Sequence, residues 1–220
     1  IYTLIHYFER RWGVFFCMGG TGKLVDELGA LMQRHGIHIQ LAADVDEIVL
    51  ESKRATGVRL NSGETLNADI VVFGGDPETC YKHLLPAKKT FSLPTIKKQY
   101  SMGLYVLYFG TRKLYPDVAH HSIWMGPRFQ ELLSEIFDSK QMSEDFSLYV
   151  HRPTATDKSF APDGCESFYV LCPVPNLLGD VNWETEGPVL RDRIVTALEE
   201  TILPELSSVI EEVFWMTPED

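Results

Sequence analysis

Two strand-like runs, 45–51 (VDEIVLE) and 56–60 (TGVRL), are separated only by residues 52–55, with the charged turn Ser52-Lys53-Arg54 among them. So short a connection has no room for a crossover helix, and the two runs can pair only as an antiparallel hairpin. Asn61-Ser62-Gly63 then turns the chain into residues 64–66, and further strand-like runs lie at 37–41, 101–109, 122–125, 146–150, 168–171 and 209–215. Helical spacing is found in an entry segment, from about residue 21 to Gly36, and at 77–85, 129–137 and 188–203. Hairpins predominate over regular strand-helix-strand alternation. The expected class is therefore α+β (mixed α/β), with mixed, largely antiparallel sheets and flanking helices, and not a complete doubly wound fold. The lysine- and proline-rich stretch 86–98 is the candidate linker.

The stretch CMGGTGKLVDELG (17–29) looks like a phosphate loop running into a helix. A phosphate loop needs a glycine five residues before Gly-Lys and a hydroxyl just after it, to wrap the phosphates and hold magnesium. Around Gly22-Lys23 these positions are Cys17 and Leu24, so an ATP-using enzyme of that kind is disfavoured. What is left is a Gly-Gly-Thr-Gly turn between an expected strand, GVFF at 13–16, and an amphipathic helix capped by Thr21. Such a turn suits an anion at a helix N-terminus and equally suits close backbone packing.

Residues 68–73 (ADIVVF) form a continuous apolar run, expected as a strand buried on both faces. It ends in Gly74-Gly75-Asp76-Pro77, where Asp76 caps the next helix and Pro77 takes its first position. With 45% hydrophobic residues, a chain of 220 can bury a substantial core, and its net charge of −11 disfavours a nucleic-acid partner. Cys17, Cys80, Cys165 and Cys172 are scattered without a paired spacing, which reads as reduced structural thiols in an intracellular setting. No run reaches the roughly 20 apolar residues needed to span a bilayer. The chain opens on Ile1 and is expected to be an internal piece of a longer protein.

The blocks ERRWGVFF (9–16), GGTGKLVDELG (19–29), ADIVVFGGDP (68–77), APDG (161–164) and YVLCPVP (169–175), in this order, resemble the bacterial-type phytoene desaturases and related carotenoid desaturases. These are flavin-dependent relatives of the amine oxidases, and the likeness runs along essentially the whole chain. It implies the substrate-binding portion of an FAD-dependent oxidoreductase that desaturates a long polyisoprenoid, without the complete Rossmann unit. Residues 1–90 would then belong to the FAD-binding region and 91–220 to the substrate-binding region. A noncatalytic escort of apolar or prenylated ligands on the same fold stays open, as does an amine-oxidase-like or retinol saturase-like enzyme. The chain alone is expected not to retain FAD and to be inactive. A substrate dissolved in lipid implies peripheral membrane contact from the cytoplasm.

For sites, the resemblance implies Val45 at the adenine of FAD and Gly74, Gly75 and Asp76 close to the flavin, with Gly19 and Gly20 as further cofactor-binding candidates. Val45 equally reads as a half-buried strand residue, and Asp76 as a helix cap. A polyisoprenoid has no polar handle, so its recognition must come from apolar burial, worth about 25 cal/mol per Å². Tyr105, Tyr108, Phe109, Trp124 and Met125 are the candidate channel residues, although an aromatic strand is also ordinary core. His151, Arg152 and Asp157 are weak catalytic candidates in a loop expected to be solvated. The pair His120-His121 has no partner at metal-ligand spacing, reads as surface, and leads to no expected metal.

Overall fold

The computed structural model describes residues 2–85 and 100–220. The candidate linker at 86–98 lies outside them. The chain divides into two compact units: Ile1–Val25 with Gln99–Asp220, and Asp26–Lys98.

In the unit Asp26–Lys98, β1 (Val45–Glu51) pairs antiparallel with β2 (Arg54–Leu60), and β3 (Thr65–Asn67) adds to the far side of β2. The turn is tighter than its sequence indicates, because Ser52 and Lys53 both take positive φ, 49° and 70°. Two such residues match the right-handed twist of the flanking strands, so β2 starts at once with Arg54. Ile48 and Leu60 are buried, while Arg59 pairs with Asp46 and Glu47 at the surface. Asp76 accepts a hydrogen bond from the Thr79 amide at 3.1 Å, with Pro77 opening α3 (Pro77–Thr79) as expected. A wider turn, Cys80–Leu84, continues it.

Three expected strands are absent. Residues 68–73 are irregular, with Ile70 78% and Val72 87% exposed. A strand buried on both faces requires neighbours to bond its backbone, and among the described residues no strand pairs with this run beyond the Ala68 amide, which donates to the Thr56 carbonyl. Residues 37–41 are irregular for the same reason, and 13–16 form an extended connection that begins at Gly13 with φ +82°.

The larger unit holds α1 (Tyr2–Trp12) and the start of α2 (Gly20–Arg34), which begins one residue before the expected Thr21 cap. Its sheet comprises β4 (Gly103–Thr111), β5 (His121–Trp124), β6 (Leu148–His151), β7 (Glu166–Val174) and β8 (Ile210–Met216). The strands lie in the order β5-β6-β7-β4-β8, and every neighbouring pair is antiparallel. This is α+β architecture built on antiparallel sheets. Between β5 and β6 runs α4 (Phe129–Ser134), widening into Glu135–Ser139.

Strand periodicity separates the two faces of this sheet. On one face, Tyr105, Leu107 and Phe109 of β4 and Phe168, Val170 and Cys172 of β7 are buried. They share a core with Leu190, Ile194 and Leu198 of α5 (Trp183–Thr201), which is followed by the short α6 (Leu206–Val209). Helix α5 starts five residues before Pro188, because Asn182 accepts from the Glu184 and Thr185 amides and caps it there. The Tyr105 hydroxyl donates to the Gly187 carbonyl at 2.9 Å, tying strand to helix. The opposite face carries Tyr108, Tyr149, Tyr169 and Phe214 and is only partly covered.

Candidate functional site: an aromatic face, a cavity and a histidine cluster

The partly covered face follows from register. Tyr108 lies opposite Tyr169 on one side and Phe214 on the other, and His151 lies opposite Tyr169 and His121. Residues directly opposite in a sheet place their side chains on the same face, which is why the rings meet. Tyr108 stacks on Phe214 with centroids 4.7 Å apart, and Tyr169 contacts Tyr108, Tyr149 and His151. At one end Phe16 and Phe160 close over this face, leaving a cavity of about 270 Å³ whose wall includes Gly20, Tyr108, His151 and Tyr169.

The Gly-Gly turn is part of that wall. Gly19 and Gly20 have φ of +84° and +81°, and a β-carbon on Gly20 would lie 2.8 Å from the Phe160 ring. Only glycine combines this backbone conformation with so close an approach. The anion that the turn suits comes from the chain itself: the Gly19 amide donates to Asp157 Oδ2 at 2.8 Å, while the Gly20 amide donates to the Cys17 carbonyl. These two amides are paired within the chain.

The loop after β6 is not the solvated segment its composition indicates. His151, Arg152 and Asp157 are all buried. Arg152 Nη1 lies 2.5 Å from Glu166 Oε1, and Glu166, 1% exposed, also accepts from the Tyr115 amide. A charge this deeply buried requires such a partner. Asp157 accepts from the Ser159 hydroxyl and amide and from Gly19, and these hydrogen bonds, the hydroxyl's first, hold its carboxyl below the ordinary range. Arg152 and Asp157 are thus engaged in holding the loop, and of the three only His151 lines the cavity.

His120 and His121 do have a partner. His151, thirty residues beyond His121, closes a group in which one ring nitrogen from each histidine lies within 4.8 Å of the others. This corrects the reading of the pair as lacking a third partner, while His121 itself is at the surface as expected: spacing along the chain could not show the partner, because strand pairing brings His151 in. His120 Nε2 and His151 Nε2 are 2.7 Å apart, His120 Nδ1 is 2.5 Å from Thr156 Oγ1, and His121 Nδ1 is 2.6 Å from the Tyr149 hydroxyl. Burial, and then the neighbouring histidines, push His151 down to about 4; burial followed by His121 and Arg152 lowers His120. Burial first, then Tyr169, pushes the Tyr149 phenol up to about 12.

The five candidate channel residues separate by face. Tyr108 lines the cavity, whereas Tyr105 and Phe109 point into the opposite core. Trp124 packs against Phe146 beside that core, and Met125 is 56% exposed. In the other unit, Val45 starts β1 beside a bulge and is exposed at its edge. A β-carbon added to Gly74 meets nothing within 4 Å, and Asp76 caps α3. Phe16, Tyr149, Phe160, Tyr169 and Phe214 escaped sequence reasoning, although the alternation Tyr149, His151 in β6 and Tyr169, Leu171 in β7 is a two-residue signal for a shared face.

No family model matches the chain. It is 45% identical over its whole length to a lycopene-forming phytoene desaturase of Pseudescherichia vulneris, 38% to a neurosporene-forming one of Rhodobacter capsulatus, and 35% to a zeta-carotene-forming one of Myxococcus xanthus. The chain spans 46%, 44% and 43% of those proteins respectively. A crystal structure of an oxidoreductase from Methanosarcina mazei superposes with a TM-score of 0.58 at 16% identity, covering 91% of this chain and 42% of that one, which supports the fold.

Proposed function

From the premise that this chain is homologous from end to end to the phytoene desaturases and corresponds to under half of such a protein, we propose that it supplies the substrate wall of an FAD-dependent polyisoprenoid desaturase, together with part of the cofactor's seat. The observation that carries this reading is the partly covered aromatic face of the five-stranded sheet, with its cavity under Phe16 and Phe160. A hydrocarbon without polar groups is bound by removing its surface from water, at about 25 cal/mol per Å², and aromatic rings offer the most area for the least lost freedom. At about 270 Å³ the cavity accommodates a segment of a long chain, with the remainder lying along Tyr108, Tyr169 and Phe214.

FAD, when bound, supplies the hydride acceptor. The residues that would hold it here are Val45, through its backbone, and the Gly74-Gly75-Asp76 segment, where Gly74 leaves room for close approach. Gly19 and Gly20, the other cofactor-binding candidates, have their amides paired within the chain. His151 stands on the cavity wall, while Arg152 and Asp157 support the loop around it. On α4 and its continuation to Ser139, Leu132 and Ile136 are buried, but Phe129, Leu133 and Phe137 are exposed and form the surface proposed to touch the lipid that holds the substrate. Among the described residues no helix is long and apolar enough to cross a membrane.

The test is turnover of phytoene presented in liposomes by the full-length protein with FAD. Substituting Tyr169→Ala or Tyr108→Ala is expected to raise the substrate concentration needed for half-maximal rate severalfold while flavin content is unchanged. Desaturation by both variants at the wild-type concentration dependence would remove the aromatic face from the reading.

A further inference from the structure

We propose that His120, His121 and His151 form a binding site for a divalent transition-metal ion of the zinc, cobalt, nickel and copper class. Strand pairing fixes the frame: His121 and His151 are opposite one another in β5 and β6, and His120 immediately precedes β5. One ring nitrogen from each histidine lies within 4.8 Å of the others. Ligand nitrogens at the usual zinc distance of about 2.0–2.1 Å in a tetrahedral shell are separated by roughly 3.3 Å, a value between the present 2.7 Å contact of His120 with His151 and the outer limit of the group.

Two further observations suit a cation. The Nε2 atoms of His120 and His151 face each other at 2.7 Å, one donating its N–H to the other, and a metal ion can take the place of that shared hydrogen. Metal-bound imidazoles normally have the other ring nitrogen held by a hydrogen-bonding group, which sets the tautomer. Thr156 Oγ1 sits at Nδ1 of His120 and the Tyr149 hydroxyl at Nδ1 of His121, leaving the opposite nitrogen of each to coordinate. His151, only 9% exposed, has a buried Nδ1 with no hydrogen-bond partner, so of the three its tautomer alone is not set by an outer group. The donor set of imidazoles without thiolate or carboxylate selects borderline ions over magnesium or calcium, and three ligands leave a fourth position for water. The rings lie within 11° to 31° of parallel, so coordination requires one to turn; His121, exposed at the rim, has the room and gives the ion its entry path.

The experiment is a Co²⁺ titration of the chelator-stripped full-length protein, followed by visible absorption and competed with Zn²⁺. Expected are one ion per chain with the intense bands of a four-coordinate nitrogen site, binding weakened at least about tenfold by His121→Ala and by His120→Ala, and weakened about tenfold or more by Tyr149→Phe. His151 is left intact because it is buried, and the melting temperature of each variant establishes that it is folded. Absorption no different from aqueous Co²⁺, or wild-type affinity in either histidine variant, overturns the site. Neither readout involves desaturation, so the outcome is independent of the proposed reaction.

Discussion

Gly20 and Gly22 lie two residues apart at the start of α2 and face opposite constraints. Gly20 has φ +81° and touches Phe160, whereas a β-carbon on Gly22 meets nothing. Gly20→Ala is expected to cost about 1–3 kcal/mol from the unfavourable backbone and the collision, and Gly22→Ala to stabilise by roughly 0.5–1 kcal/mol through helix propensity. Urea unfolding of the two variants reads both signs. Asp157 provides a test by pH. Its carboxyl is held below the ordinary range in the folded chain, first by the Ser159 hydroxyl and then by the Gly19 amide. The stability this contributes is present above the unfolded carboxyl pKa and is lost as pH falls through the folded value. Asp157→Asn should therefore flatten the fall in melting temperature on acidification below about pH 4; an unchanged acid limb would show that these hydrogen bonds do not discriminate the charged form.

Helix α5 and strand β4 hold the larger sheet's closed face together, and they can be probed without touching the open one. Ile194 is fully buried between helix and sheet. Ile194→Ala is expected to cost about 2–5 kcal/mol, measured by denaturant midpoint, because the cavity it leaves is walled by packed side chains. Tyr105→Phe removes the hydrogen bond to Gly187 while keeping the ring, so a loss of only about 1 kcal/mol is expected. A loss as large as that of the isoleucine variant would mean that the hydroxyl, and not the ring, positions α5. Neither substitution alters Tyr108 or Tyr169, which point the other way; metal binding and cavity shape should survive both.

For the whole molecule, the chain spans less than half the length of the desaturases it resembles, and its own Gly-Gly turn has its amides paired with Asp157 and Cys17. The chain by itself is expected to lose FAD on gel filtration, and flavin absorbance co-eluting in stoichiometric amount would contradict that. What could be read along the chain was whatever neighbours in sequence decide. The hairpin at Ser52-Lys53, the Asp76 cap and the apolar stripe of α5 are each specified by residues a few positions apart, through turn geometry, hydrogen bonding to adjacent amides and helical period. Contacts between distant residues decided the rest. Residues 68–73 have the composition of a buried strand but no described partner to make them one, while His151, Arg152 and Asp157 are hidden by Glu166, Gly19 and two histidines far from them in sequence. Polar side chains carry no mark of who will pair with them, and burial depends on that pairing, so the histidine cluster and the wall of the cavity exist only once the strands have come together.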